Sequence, residues 1–540
     1  MQSVTQQEPT NIPASSRNLA ATIGRNTLFG IVANVAQMGT RVVTVPIVIG
    51  HLGLDGYGIW SIIMTTAGFM RFGSAGIKSA FQKYVAEATG SGDFKKANKL
   101  ISTGSAAMLV LSIVGLIPIA VFSQSLARVI GVPDNFLDST AGAISLLALI
   151  MVLSNVGAAY EAIVMGGHRI DLTRKFATLF TILEAIAIVV FLHFGYGLLV
   201  MSAVMAFSEV GYLLCCYFAS RRVLPAIQIA TTHLSRRVLR ELVGFAGSYQ
   251  VVGILEVLYA AILPVTVLKL FGADATGVYA VASSLVCAAL LLHEAFLLPI
   301  LSGGSMVYAS GSVERMRLLL IKSFKTTLAL AMLPLAFIAS HGTVIVLAWT
   351  GRVDPAFGVA LWLMCFAGLF KSLSLLALVL YRASGRAWMD NIRQVLRILV
   401  LLLISVFGHH LGFFGVLGGL AVAEFVGMIF MFFAITSTFH GLTARMLVPD
   451  TAKLTTATLA IIAIGAIVAN VPVPWGASDR FLATLKLGEL SLATLVAAWP
   501  ALLLTGSLSR PEVRAILDVF RGERQMQTPK GEGEMGQETY

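Results

Sequence analysis

Leu52-Gly53-Leu54-Asp55-Gly56-Tyr57-Gly58-Ile59-Trp60 closes the first long apolar run of this chain, and 219 residues later stands Phe271-Gly272-Ala273-Asp274-Ala275-Thr276-Gly277-Val278-Tyr279. The Gly, Asp, Gly and final aromatic positions coincide. With the same shift Ser91-Gly92 falls on Ser310-Gly311 and Lys96 on Arg315. A slightly smaller shift brings Gly167-His168 onto Gly385-Arg386 and Glu209 onto Glu424. Gly and Asp are common in turns, so one coincidence decides little. Four in order at nearly constant spacing mark a duplication. Six apolar runs separate each matched pair, so the two copies share one orientation, as in a parallel repeat about an axis along the membrane normal.

Composition fixes the solvent. A chain of 540 residues with 57% hydrophobic and 12% charged residues lies far outside the soluble range, and its mean hydropathy is +0.86. Apolar runs of about 20 residues, each long enough to cross a bilayer as a helix, recur from Asn26 to Thr505. The reading is an all-α polytopic membrane protein of about 14 transmembrane helices: two six-helix repeats followed by two further helices. Residues 1–24 form a polar N-terminal segment without the apolar core of a cleaved signal peptide. Residues 25–220 carry helices 1–6, 221–240 a basic linker, 241–440 helices 7–12, 441–507 helices 13 and 14, and 508–540 a polar, Gly-rich tail expected to be disordered. The four cysteines fall inside spans and lack metal-ligand spacing, which makes them small core residues.

The formal charge of +11 is sorted by side of the membrane. With the N-terminus in the cytoplasm, 29 of the 38 Lys and Arg lie on that side and five (Arg128, Lys269, Arg352, Arg480, Lys486) on the other. That bias is the positive-inside rule; it predicts an inner-membrane protein with both termini cytoplasmic, and no nucleic-acid partner.

Four cations remain within the spans: Arg41, Arg71, Lys78 and Lys371. A charge at mid-bilayer costs roughly 2.5–3.5 kcal/mol on insertion scales and therefore faces a bundle interior or a water-filled cavity. Asn34, Gln37, Arg41 and Thr44 share one helical face of span 1, and Arg71, Ser74 and Lys78 share one of span 2. Such a cluster suits an anion, and arginine grips phosphate through paired hydrogen bonds, so phosphate or pyrophosphate is the expected ligand of Arg41, Arg71, Lys78 and Lys371. Glu256 in span 7 and His293-Glu294 in span 8 could bind a coupling proton or sodium ion. No catalytic residue, metal site or cofactor is expected; an ion gradient is the expected energy source.

These residues resemble the oligosaccharide-lipid and polysaccharide flippases, in the exporter superfamily that also holds multidrug extruders and the lipid II flippase. The resemblance is carried by LGLDGYGIW after span 1, RFGSAGIKSAFQKYVAEA in span 2 and GSGDFKKANKL before span 3, with the repeat and span count extending it over about 500 residues. It implies two six-helix bundles around a V-shaped cationic cavity. It further implies alternating access that moves an undecaprenyl-pyrophosphate-linked glycan between leaflets for exopolysaccharide, capsule or O-antigen synthesis. A polysaccharide polymerase and chain-length or export machinery are the protein partners such a role brings. The resemblance also implies substrate contact by cavity-facing charges of spans 1, 2, 7 and 8, here Arg41, Arg71, Lys78, Glu256, His293 and Glu294. Where the family often carries an acid before the Phe/Leu-Gly of span 2, this chain has Arg71, so no particular ion-coupling scheme transfers.

A drug extruder would line its cavity with acids for cationic substrates, and a lipid II flippase would share the charge pattern. A membrane-embedded glycan polymerase would need a substantial outer loop. Here the longest outer segments, residues 124–138 and 472–486, lack a carboxylate pair or His cluster suited to acid–base work, and the chain has no phosphate-binding Gly-Lys-Ser/Thr loop.

Overall fold

Gly53 breaks the first helix at φ 80°, ψ 175°, and Gly272 breaks the helix of the second copy at φ 87°, ψ −176°. The quoted motif is thus a helix–helix junction with a single non-helical residue. In a computed structural model, residues 14–72, most of 81–438, a few positions in 449–463, and 480–504 are described; the breaks within 81–438 are isolated positions before residue 92, then 168, 310, 353 and 384–387.

The helices are α1 (Ala14–Phe72), α2 (Phe94–Val121), α3 (Ser123–Ile130), α4 (Asp134–Gly166), α5 (Ile170–His193), α6 (Leu198–Val223), α7 (Arg236–Ala309), α8 (Val313–Thr350), α9 (Ala356–Ala383), α10 (Met389–Thr438) and α11 (Arg480–Leu504). Among the described residues nine helices are long and apolar enough to cross a membrane. Three of them, α1, α7 and α10, contain a glycine break, the last at Gly412, so the nine carry twelve of the expected spans. Span 13 lies largely outside the described residues, and α11 supplies span 14. The first helix begins at Ala14, well before the expected start of span 1.

The backbone carries the duplication further than the side chains do. The eight glycines at positive φ among the described residues pair across the copies: Gly53 with Gly272, Gly92 with Gly311, Gly131 with Gly351, and Gly195 with Gly412. Helix starts pair as well. Asp93 accepts the Lys96 N–H at 3.3 Å, and Ser312 accepts that of Arg315 at 3.3 Å, both standard N-caps. The matched pair Glu209 and Glu424 has different partners. Glu209 accepts a hydrogen bond from Ser154 in α4 at 2.6 Å, whereas Glu424 faces Arg397 in the same helix hairpin. Phe180 packs on Gly211 as Arg397 packs on Gly427.

Apolar side chains point outward as well as inward, because lipid is the solvent: Val110, Leu111, Val114, Ile117 and Val121 of α2 are all exposed. Small residues such as Ala158, Ala159 and Ala162 of α4 are buried in the first lobe beside larger apolar ones such as Ile144, Leu147 and Ile150. The largest buried apolar cluster runs through both lobes and draws on the ends of the helices next to Gly53 and Gly272: Ile49 and Ile59, Leu147, Val267 and Val281, and Val346. At the opposite, Arg/Lys-rich ends each lobe has its own cluster, Leu100, Ile101 and Ile163 in the first and Ile300, Leu320 and Leu376 in the second. The two lobes therefore share a core at the glycine-break end and have separate apolar clusters at the basic end, where Val238 of α7 packs against the first lobe's cluster. The basic linker is laid along α2: Gln228 N donates to Asn98 Oδ1 at 3.0 Å, Ala230 N to Ser102 Oγ at 3.1 Å and Ser235 N to Thr103 Oγ1 at 3.0 Å.

Candidate functional site

The glycine-break end is held by three contacts between lobes. Gly58 crosses Gly277, its counterpart in the repeat; a Cβ on Gly58 would lie 2.3 Å from Ala273 O, and one on Gly277 would lie 2.2 Å from Leu54 O. Leu54 and Ala273 are themselves counterparts, so the contact is reciprocal and the pseudo-two-fold axis passes through it. Tyr57 OH and Ser284 Oγ share a hydrogen bond of 3.2 Å. Trp349 Nε1 donates to Val42 O at 2.7 Å. That carbonyl is available because residue 46, which would donate to it in a regular helix, is proline.

Below these contacts lies a cavity of about 360 Å³ with walls from both lobes: Gln37, Arg41 and Val42 of α1, Cys287 and Leu291 of α7, Trp349 of α8, and Leu487 of α11. Its lining is apolar apart from Gln37, Arg41, Ser284 and Thr484. Arg41, the one charged group among the described lining residues, is exposed.

The other expected site residues distribute differently. Lys371 does not reach this cavity; its Nζ is 3.5 Å from Glu294 Oε1, and both side chains are about half exposed. It is thus a paired cation rather than a member of an Arg41 cluster. His293 is fully buried, so it does not face a water-filled space as expected, although Glu294 beside it is exposed. Glu256 is half-buried on α7. Ser74 and Lys78 lie outside the described residues, as do the side chains of Asn34 and Arg71.

The charge count by loops missed a second cluster inside the C-terminal lobe. Arg393 and Arg397 were assigned to a cytoplasmic loop, but α10 begins at Met389 and buries them to 1% and 4% exposure. Arg397 Nη2 bonds Glu424 Oε1, and Nη1 bonds Gln394 Oε1 at 2.8 Å. Its guanidinium carbon sits 3.6 Å from the centroid of the Tyr259 ring, and the Tyr259 hydroxyl donates to Glu424 at 2.8 Å. Arg393 donates to Asp390 Oδ1 from Nη2 at 2.8 Å, and Arg382 reaches the same carboxylate. Asp390, Arg393, Gln394 and Arg397 have spacing i, i+3, i+4, i+7, one helical face, which is the signal that was available. The cluster ties spans 7, 11 and 12 together, and its counterpart in the first lobe is the apolar Phe180.

Residues 30–186 match the MatE family model. The fold is that of the MOP-superfamily transporters. A solved inward-facing multidrug resistance MATE transporter superposes with a TM-score of 0.66 at 14% identity, over 75% of this chain and 94% of that one. The lipid II flippase MurJ, inward closed, gives 0.65 at 14% identity over 87% of this chain and 98% of its own. A MOP transporter from Pyrococcus furiosus, described by its reversed binding-pocket polarity, gives 0.53 at 14% identity, with 81% and 95% covered. Among curated proteins, the uncharacterized membrane protein EpsK of Bacillus subtilis is 23% identical over 239 residues, 44% of this chain; the match spans about half (47%) of its length. The MOP architecture accounts for the two helix bundles and the cavity between them. The matched family and the solved relatives are transporters and flippases, not enzymes.

Proposed function

We propose that this chain is a flippase for an undecaprenyl-pyrophosphate-linked oligosaccharide, working by alternating access in the inner membrane with both termini cytoplasmic. The carrying observation is the inter-lobe cavity in which Arg41 and Gln37 are set among apolar walls from both lobes. A guanidinium in a greasy space suits a phosphate attached to a lipid, whose prenyl tail the walls accept. An organic cation would be repelled by it, which disfavours drug extrusion. Arg71 and Lys78 of span 2 are the further cations assigned to the phosphates, and Glu256 and Glu294 the groups assigned to proton or sodium coupling; Lys371, paired with Glu294, and the buried His293 take no part in this assignment. Each hydrogen bond from a charged donor contributes about 1.5–3 kcal/mol, roughly ten- to a hundred-fold in affinity.

The test is a deletion strain complemented with wild-type chain or with Arg41→Ala at matched protein levels. Loss of surface polymer with complete single lipid-linked repeat units trapped in the inner leaflet is the expected phenotype, and Arg41→Ala should restore at most a tenth of the flux. Single units reaching the periplasm would indicate a polymerase instead. Unchanged polymer with altered drug tolerance would indicate an extruder. A second reading, translocation of lipid II, is favoured by the match to MurJ over 98% of that chain; it predicts trapped lipid II in the same strain.

A further inference from the structure

A second cavity lies on the outer surface of the N-terminal lobe, at the basic end. It has about 580 Å³ between the α4–α5 turn and the last turns of α6, with Arg169 and Arg222 at its rim and Leu172, Phe176, Phe218 and Val223 along its floor. Arg169 is held in place by its Nε–H, which donates to Asp171 Oδ1 at 3.1 Å, and Asp171 is itself 1% exposed. Arg222 is exposed. Arg174 and Lys175 on α5 are exposed close by in the chain, whereas Arg221 is not in the lining and lies over the Tyr217 ring at 6.0 Å.

The floor continues away from the arginines as an apolar track. On α6, Phe218, Leu214, Val210 and Phe207 are exposed on one face, and Leu179, Leu183 and Ile186 are exposed on α5. From Phe218 to Phe207 the track runs about 16 Å at 1.5 Å per residue, close to the ~15 Å depth of one leaflet. Two guanidiniums at the interface over an apolar track one leaflet deep match one kind of molecule. We propose that this groove binds an anionic phospholipid of the leaflet on the basic side, with the headgroup phosphate between Arg169 and Arg222 and an acyl chain on the Phe218–Phe207 track. Basic pockets between helix ends on the cytoplasmic side are where such headgroups are recognised, and guanidinium prefers phosphate to the neutralised phosphate of a zwitterionic headgroup. The site stands apart from the inter-lobe cavity and does not depend on what that cavity carries.

The experiment uses the purified full-length protein with phosphatidylglycerol or phosphatidylcholine, retention being read by native mass spectrometry. Phosphatidylglycerol should be retained at least five-fold over phosphatidylcholine. Arg222→Gln should bring it down to the phosphatidylcholine level, Arg222→Lys should fall between, and Arg221→Gln, which removes the same charge outside the groove, should leave it unchanged. Cys215 lines the groove, so phosphatidylglycerol should also slow maleimide labelling of Cys215 in a wild-type background, a readout that needs no arginine variant. Equal retention of the two lipids, an equal fall in Arg221→Gln, or displacement by inorganic phosphate as effective as by the lipid would each overturn the proposal.

Discussion

Arg41 and Arg397 carry the same charge in different surroundings, and the difference sets what their removal does. Arg41 is an exposed side chain lining an open cavity, so its loss should act on substrate handling with little change in stability. Arg397 is enclosed, with Glu424, Gln394 and the Tyr259 ring around it. Removing one partner of a buried pair leaves the other uncompensated, at a cost of about 3–5 kcal/mol. Arg397→Ala should therefore lower the thermal midpoint of the detergent-solubilised protein sharply, and the double variant Arg397→Met with Glu424→Leu should recover most of the loss. The Lys371–Glu294 pair, half exposed, falls in the class where a pair contributes roughly 0–1 kcal/mol. Lys371→Met should leave the midpoint almost unmoved. Arg41 was legible in the sequence because an arginine halfway along an apolar run has no loop to belong to. Arg393 and Arg397 were not, because a basic residue near the start of a helix reads the same whether it points at water or into the lobe.

The pairing of Pro46, Val42 and Trp349 shows one helix completing another. Proline removes the donor that Val42 O would have inside α1, and an indole from α8 replaces it at 2.7 Å. A hydrogen bond of this kind contributes about 0.5–1.5 kcal/mol net. Trp349→Phe should destabilise the contact by that order in the wild-type background and by much less with Pro46→Ala, where the helix can make its own bond; a double-mutant cycle on thermal stability reads the difference. Gly58 and Gly277 act in the same place through sterics, since neither can accept a Cβ without moving the opposite backbone. Gly58→Val should hold this contact apart. Labelling of Cys287, which lines the inter-lobe cavity, by a membrane-impermeant maleimide from the glycine-break side should rise several-fold in a variant whose other cysteines are replaced. The motif containing Gly58 was visible as a repeat; that its two copies touch one another was not, because a sequence match gives equivalence and not proximity.

At the scale of the whole molecule, one apolar cluster is shared by the two lobes at the glycine-break end, and separate clusters lie at the basic end. The proposed orientation puts the basic end in the cytoplasm, so a cysteine placed in the linker at Thr231 should be labelled only after the inner face is exposed; labelling from outside in intact cells would reverse the orientation. Sequence alone determined that the chain is an all-helical membrane protein, that it is a duplication in parallel orientation, and where its breaks fall. Those properties follow from local hydropathy and from glycines that recur at matched positions, which are written residue by residue. Only the tertiary structure decided which charges meet: that Arg41 stands in the cavity, that Lys371 is already paired with Glu294, that His293 is sealed inside, and that Glu424 meets Arg397 while Glu209 meets Ser154. Helical periodicity fixes which residues share a face, but not what the face meets, because that depends on how helices distant in sequence pack against one another.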